Sequence, residues 1–384
     1  YKHGIYTGEQ ATSLVPMTET EAGLVVAFGT APVHLASAPA EANKPVLCYT
    51  LKEAVAALGY SDDWEKYTLC EAMKVHFALF NVAPIVLVNV LDSTQHTKSQ
   101  EKNEIKLESG VATIEDAILL GSLKIFKTAS DTEAAAAGTD YTAAYNDNNA
   151  VVVTTLTGGK LDGATSVYAA YTAIDATKVT AADIVGGVSN TTGKSTGLEL
   201  IEEIYPRFGI VPGTMIAPGW SHNTVVAAVM KAKEKNINGH FNAISICDAP
   251  TNEVKAYNAV SEWKNKNNYV DNGNILCWPL LTLGGTKYHM STQLASLLAQ
   301  VDSENDDIPY YSPSNHSLQA DGACLEDGTE VFLSSSTAAY LNGQGVVTAL
   351  NFIGGWKAFG NRLTAYPSNT DVKDSFIAIR RMFN

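Results

Sequence analysis

Six short apolar, β-branched runs, GLVVAFGT, KPVLCYT, PIVLVNVL, TMIAPG, FNAISICDA and ILCWPLL, are interleaved with stretches of helical periodicity. This alternation constrains the fold more than any other feature, because strand and helix following one another in this way indicate an α/β layer. PIVLVNVL is apolar at nearly every position and reads as a fully buried strand. KPVLCYT leads into LKEAVAALG, where Thr50 and Glu53 have capping-box spacing. DDWEKYTLCEAMKVHFALF predicts one longer helix, with Trp64, Leu69, Met73, Phe77 and Phe80 available for an apolar face. NTVVAAVMKAKEKN and TNEVKAYNAVSEWKNK predict two more helices, the first with Gly239 as its C-cap. A helix is expected from about Ser291, then an acidic loop DSENDDIPYYSPSN, strands in EVFLSS and GVVTALNF, and a last helix in DVKDSFIAIRRMF.

The alternation is interrupted once. From Lys98 to about Val185 the texture turns to Ala, Thr, Gly, Asp and Tyr, and period-two runs flank an Asn/Asp turn in TDYTAAYNDNNAVVVTTL. Tyr141, Tyr145, Val151, Val153, Val167 and Tyr171 are the expected core of this segment. The first 20 residues show neither period. The expected fold class is therefore α/β with mixed α+β character, in several subdomains. An extended arm spans 1–20, a first α/β segment 21–97, an inserted all-β domain 98–185, and the main α/β domain 186–384.

A chain of 384 residues with 46% hydrophobic and 17% charged residues can bury more than one core. A net charge of −14 without a basic run removes the electrostatic term that drives binding to phosphate backbones, so nucleic acid is not expected as a partner. Cys48, Cys70, Cys247, Cys277 and Cys324 form no CxxC pair and are odd in number, which favours reduced core thiols over a zinc cage or disulfide framework. No apolar run approaches the roughly 18 residues of a membrane span, and no basic-then-apolar secretion signal opens the chain.

GVSNTTGKST, from Gly187 to Thr196, looks like a phosphate-binding loop but fails on spacing: Gly187 and Gly193 are separated by five residues where the motif needs four. The preceding TAADIVGG reads as a helical turn capped by Thr180 rather than as the strand such a loop requires. Ser221, Asp248 and His289 occur in the order of an α/β-hydrolase triad, yet PGWSHN lacks the second Gly of a nucleophile elbow and serves equally as a helix N-terminus. Asp302, Glu304, Asp306 and Asp307 lack the Gly and Glu of a calcium loop and read as a solvated acidic loop. His34 and His76 have no ligand spacing, and Trp220, Trp263, Trp278 and Trp356 fall in apolar segments. No catalytic, cofactor or metal signature is left standing.

Together, YKHGIY, GTAPVHLA, NKPVLCYT, LGYSDDWEKYTLCEAM, VTAADIVGGVSNTTGKSTGLELIEEIYPRFGIVPG, APGWSH and VFLSSSTAAYLNGQGVVTALNFIGGWKAFGNR resemble the tail sheath proteins of contractile phage tails and related injection machines. These strings span nearly the whole chain in the family's order. The resemblance implies a structural, non-enzymatic protein without cofactors, made in a bacterial cytoplasm and located in a virion tail. Its copies would stack as hexameric rings around an inner tube and shorten to drive that tube through an envelope. The implied partners are further copies of the chain, the tube protein, baseplate proteins and the tail terminator, with no direct membrane insertion. It also implies that Tyr1, Lys2, His3, Gly4, Ile5 and Tyr6 take part in subunit assembly by strand addition to a neighbour. Family members continue past the helix ending at Asn384, so the resemblance implies a trimmed chain. A P-loop or hydrolase enzyme, or a glycan-binding module centred on the insert, are the competing classes.

Overall fold

The computed structural model describes residues 18–19 and 23–384. The six apolar runs become Val25–Gly29 (β1), Val46–Cys48 (β2), Ile85–Asn89 (β3), Thr214–Ile216 (β4), Ile244–Asp248 (β5) and Asn274–Cys277 (β6). They form one sheet in the order β6-β5-β4-β1-β3-β2. All neighbours are parallel except β2, which runs antiparallel to β3 at the edge. The residues before and after the insert therefore share a single layer. β1, β3, β4, β5 and β6 are buried at every position, as strands covered on both faces must be. Chain order reverses direction between β1 and β4, which makes that gap the topological switch point.

Residues 97–174 form two three-stranded antiparallel sheets. The Asn/Asp turn does join a hairpin, Tyr141–Tyr145 with Val151–Thr155. Tyr141, Val151, Val153, Val167 and Tyr171 are buried in a hydrophobic cluster separate from the principal core, with Tyr145 packed on its edge. Thr97 and Ile174 face each other across the long pair Thr97–Lys106 and Ser166–Ile174. The helical turn Ala181–Val185 contributes Ile184, and Val179 precedes it, to the principal core instead.

The helix Met290–Ser303 is the centre of that core: every residue from Met290 to Ala299 is buried, as are Val301 and Asp302. Its buried polar residues are Ser291, Thr292, Gln293, Ser296 and Asp302, and each of these reaches a different segment. The Ser291 N–H and hydroxyl donate to the Asp248 carboxylate at the end of β5. Thr292 donates to Glu71, and Gln293 exchanges two hydrogen bonds with the backbone of Gln319. Ser296 lies 3.1 Å from His76 Nδ1, while His76 Nε2 faces the Pro84 carbonyl at 3.2 Å. The carbonyl can only accept, so the proton sits on Nε2 and Ser296 donates to Nδ1. Burial lowers the pKa of His76 to about 4 and keeps it neutral. Asp302 forms a two-pronged ion pair with Arg381 of the helix Ile377–Phe383.

Several local expectations change. The helix expected from Asp62 begins at Thr68, because the end of β1 caps it: Thr30 Oγ1 accepts the Thr68 N–H at 3.1 Å. It continues as π-helical turns over Lys74–Leu79. Trp64 stays outside it. Thr50 caps the helix Leu51–Leu58 as its spacing implied, accepting the Glu53 N–H. The helix Thr224–Lys233 ends six residues before Gly239, which instead takes φ +76° in a later turn. EVFLSS is not a strand, and the last helix is split by extended Phe376 into Val372–Ser375 and Ile377–Phe383. Asp302 is wholly buried rather than part of a solvated loop.

The Asp302–Arg381 pair yields a direct expectation. Arg381→Ala leaves a buried carboxylate without its cation and lowers stability by about 3–5 kcal/mol. Asp302→Leu combined with Arg381→Met recovers most of that loss, because matched apolar groups need no partner. Urea midpoints for the single and double variants check this; equal midpoints for Arg381→Ala and the wild type would refute it.

Candidate functional site

The GVSNTTGKST segment is a β-hairpin. Gly187–Val188 pairs with Ser195–Thr196, so Ser195 and Thr196 are the returning strand of a hairpin while Gly193 and Lys194 lie in its turn. Two glycines outside the string make the hairpin possible. A Cβ on Gly186, which has φ +67°, would lie 1.9 Å from the Thr196 carbonyl oxygen, and one on Gly197 would meet the Ile184 carbonyl at 2.4 Å. The preceding helix opens at Thr180, whose N–H donates to Asp183, and Leu198, Ile201 and Ile204 are buried as their spacing implied, largely in 3₁₀ turns. Lys194 is exposed.

Ser221, Asp248 and His289 all lie at the carboxyl end of the sheet, but they are wired apart. Ser221 Oγ accepts the Asp248 backbone N–H at 3.0 Å. Asp248 bonds Ser291, and His289 Nδ1 lies 2.7 Å from Glu71 Oε2. No proton relay from a hydroxyl through the imidazole to Asp248 exists in this arrangement. The helix that follows is capped by Asn223, whose side chain accepts from Val225 and Val226 N–H.

What these residues surround is a cavity of about 430 Å³. Its floor comes from the ends of β4 and β5, through Trp220 and His222 on one side and Asp248 on the other, and from the capped helix, through Thr68 and Glu71. Tyr288 and His289 close one wall, and Trp64 packs on Tyr288 with ring centroids 5.0 Å apart. Glu71 is almost fully buried and accepts the His289 N–H at 2.6 Å as well as the Thr292 hydroxyl at 2.8 Å. Burial pulls the pKa of His289 down, but the Glu71 charge and hydrogen bond outweigh it, with Asp248 adding, and the result is about 9. His222 is lowered by its own burial and by the neighbouring His289 cation. Burial raises Asp248, against the opposing pull of His289 and Ser291.

Sequence reasoning reached Trp220, Asp248 and His289 but not Glu71, whose signal was a lone carboxylate on the buried face of an apolar helix. Tyr1, Lys2, His3, Gly4, Ile5 and Tyr6, the candidate assembly residues, lie outside the described residues. All five cysteines are free and buried, and burial raises the Cys247 thiol to about 12. Among the described residues no group of His, Cys, Asp and Glu could hold a metal ion, and no helix is long and apolar enough to cross a membrane.

No protein-family model matches the chain. A tail sheath protein of Burkholderia phage BcepMu is 26% identical over an alignment of 398 residues, covering 99% of this chain and 78% of the relative. A prophage major tail sheath protein of Pseudomonas aeruginosa strain UCBPP-PA14 is 28% identical over 190 residues, 47% of this chain and 46% of that protein. Among solved structures, a chain of the anti-feeding prophage baseplate superposes with a TM-score of 0.51 at 11% identity, covering 100% of this chain and 73% of its own. That likeness is one of fold.

The Glu71–His289 pair sets a pH dependence. His289 has a folded pKa of about 9 against 6.5, so its contribution to stability is fully present below 6.5 and is lost as pH rises through 9. The difference in unfolding free energy between wild type and His289→Gln should therefore shrink over that interval, as measured by urea unfolding at several pH values. A constant difference from pH 6 to 10 would show that the imidazole is neutral in the fold.

Proposed function

We propose that this chain, a homologue of the tail sheath proteins of contractile phages, is a structural subunit of such a tail, stacking with further copies as rings around an inner tube and shortening to drive the tube through an envelope. The observation that carries the reading is the collinear relationship to the BcepMu sheath protein over 99% of the chain. The fold is compatible with it. A sheet buried on both faces and a core wired through one helix make a rigid body, and a lattice of rigid bodies with two packings can store and release energy without a nucleotide. Large apolar side chains also stand exposed, notably Phe352 and Ile353 at the tip of a hairpin, 54% and 85% accessible, as surfaces awaiting a neighbour do. Baseplate, tube and terminator proteins are the further partners that this role requires.

Electron microscopy of the natural gene product after overexpression tests the reading. Tubular polymers of stacked rings are expected. A protein that stays monomeric at high concentration, and that instead turns over an ester or is stabilised by ATP, would replace the structural reading with an enzymatic one.

We further propose that 97–174 is an outward decoration that folds by itself, since its apolar cluster is separate and its two ends face each other in register. Replacing 98–173 by a short Gly/Ser linker should leave a soluble remainder with a cooperative unfolding transition and should leave polymers intact but thinner. An insoluble or molten product would show that the insert is part of the folding unit. Glycan affinity lost with the deletion would give the insert a binding role.

A further inference from the structure

We infer that the cavity at the carboxyl ends of β4 and β5 is a binding site for an organic cation, an alkylammonium or guanidinium group held between aromatic walls and a carboxylate rim. Its volume, about 430 Å³, falls in the range of small-molecule sites. Its position outside the carboxyl ends of the parallel strands β4 and β5 is where open α/β sheets leave a crevice. The sheath role gives this crevice no task.

The charges decide the class of ligand. Inside, the His289 cation is already matched by Glu71, and Asp248 is occupied by the N–H and hydroxyl of Ser291. His222 adds no cation, since burial and His289 hold it neutral. Lys287 stands at the rim with its ammonium donating to the Glu326 backbone carbonyl at 2.5 Å. What is left over is net negative: the exposed carboxylates of Glu65 and Glu326 line the mouth against the single Lys287 ammonium, none of the three having an ion-pair partner among the described residues. Trp64, Trp220 and Tyr288 supply the walls, Trp64 packed on Tyr288 at an interplanar angle of 60°. Ring faces attract cations and are indifferent to neutral alkyl groups beyond simple burial, and the rim carboxylates reinforce that choice. An anion entering here would meet four acidic side chains, Glu65, Glu71, Asp248 and Glu326, against Lys287 and His289.

The test titrates the protein with n-butylammonium and n-butylguanidinium, with n-butyrate and n-butanol as controls, followed by calorimetry and tryptophan fluorescence. Both cations should bind and both controls should bind at least tenfold more weakly, about the discrimination that a cation–ring contact and two rim charges provide. Glu65→Gln with Glu326→Gln changes only exposed side chains, so it should keep the wild-type melting temperature while weakening the cations about fivefold and narrowing the gap to butanol. Trp220→Leu should weaken the cations by a similar factor. The source of the natural cation is read in parallel by sedimentation of the assembled protein. Dissociation by butylammonium assigns the site to a Lys or Arg of a second copy, and binding without dissociation assigns it to a free amine. Preferred binding of butyrate, equal binding of butanol, no binding of any probe, or cation affinity unaltered by the rim variant would each overturn the inference.

Discussion

The buried helix Met290–Ser303 is the constraint on which the rest of the structure depends. A helix covered on every side cannot use amphipathic patterning to fix its rotation or its position along its axis, because sliding or turning it exchanges one apolar contact for another. Ser291, Thr292, Gln293, Ser296 and Asp302 remove that freedom. An unpaired polar group in such an interior costs more than a typical hydrogen bond contributes, so each of these residues admits one position only. Their partners, Asp248, Glu71, Gln319, His76 and Arg381, come from the end of a strand, a capped helix, a loop, a π-helical turn and the last helix. One helix thereby aligns segments more than 200 residues apart in the chain, as the 221-residue separation of Glu71 and Thr292 shows.

The same wiring shapes the crevice at the carboxyl ends of β4 and β5. Glu71 is turned toward His289 because Thr292 and the His289 backbone hold its other oxygen, and Asp248 is withdrawn from the imidazole because Ser291 occupies it. A serine, an aspartate and a histidine thus come to the same end of the sheet without forming a relay. Such a convergence is what the doubly wound architecture produces wherever several strands end together, and the chemistry depends on which partner each side chain takes. The GKST string makes the same point from the other direction. Its residue types suit a phosphate cradle, but Gly186 and Gly197 close it into a hairpin, and the N–H groups of Gly193, Lys194 and Gly197 already donate to Ser189, Thr192 and Asn43.

The strands were legible because they are buried on both faces, and a run such as PIVLVNVL has no other way to satisfy its backbone and its side chains at once. The hairpin of the insert was legible because an Asn/Asp turn between alternating runs leaves few alternatives. The Thr50 cap was read from local spacing, since the bond is local. Two of the errors lie where a distant residue intervenes. Thr30 moved a helix start from Asp62 to Thr68, and the Asp302–Arg381 pair drew an apparently solvated acid into the core.

By itself, then, the sequence determined the class of the fold, the place of the interruption, the reduced state expected of its cysteines and, through strings spread over nearly its whole length, its resemblance to contractile-tail sheath proteins. These follow from periodicity, composition and local order, which are properties of neighbouring residues. Only the tertiary structure decided that the segments before and after the insert share one sheet, that Glu71 rather than Asp248 takes His289, and that a cavity opens between them. The physical reason is that each of these depends on hydrogen bonds and burial between residues far apart in sequence. Their energies are set by a low-dielectric interior that exists only once the chain has closed around it.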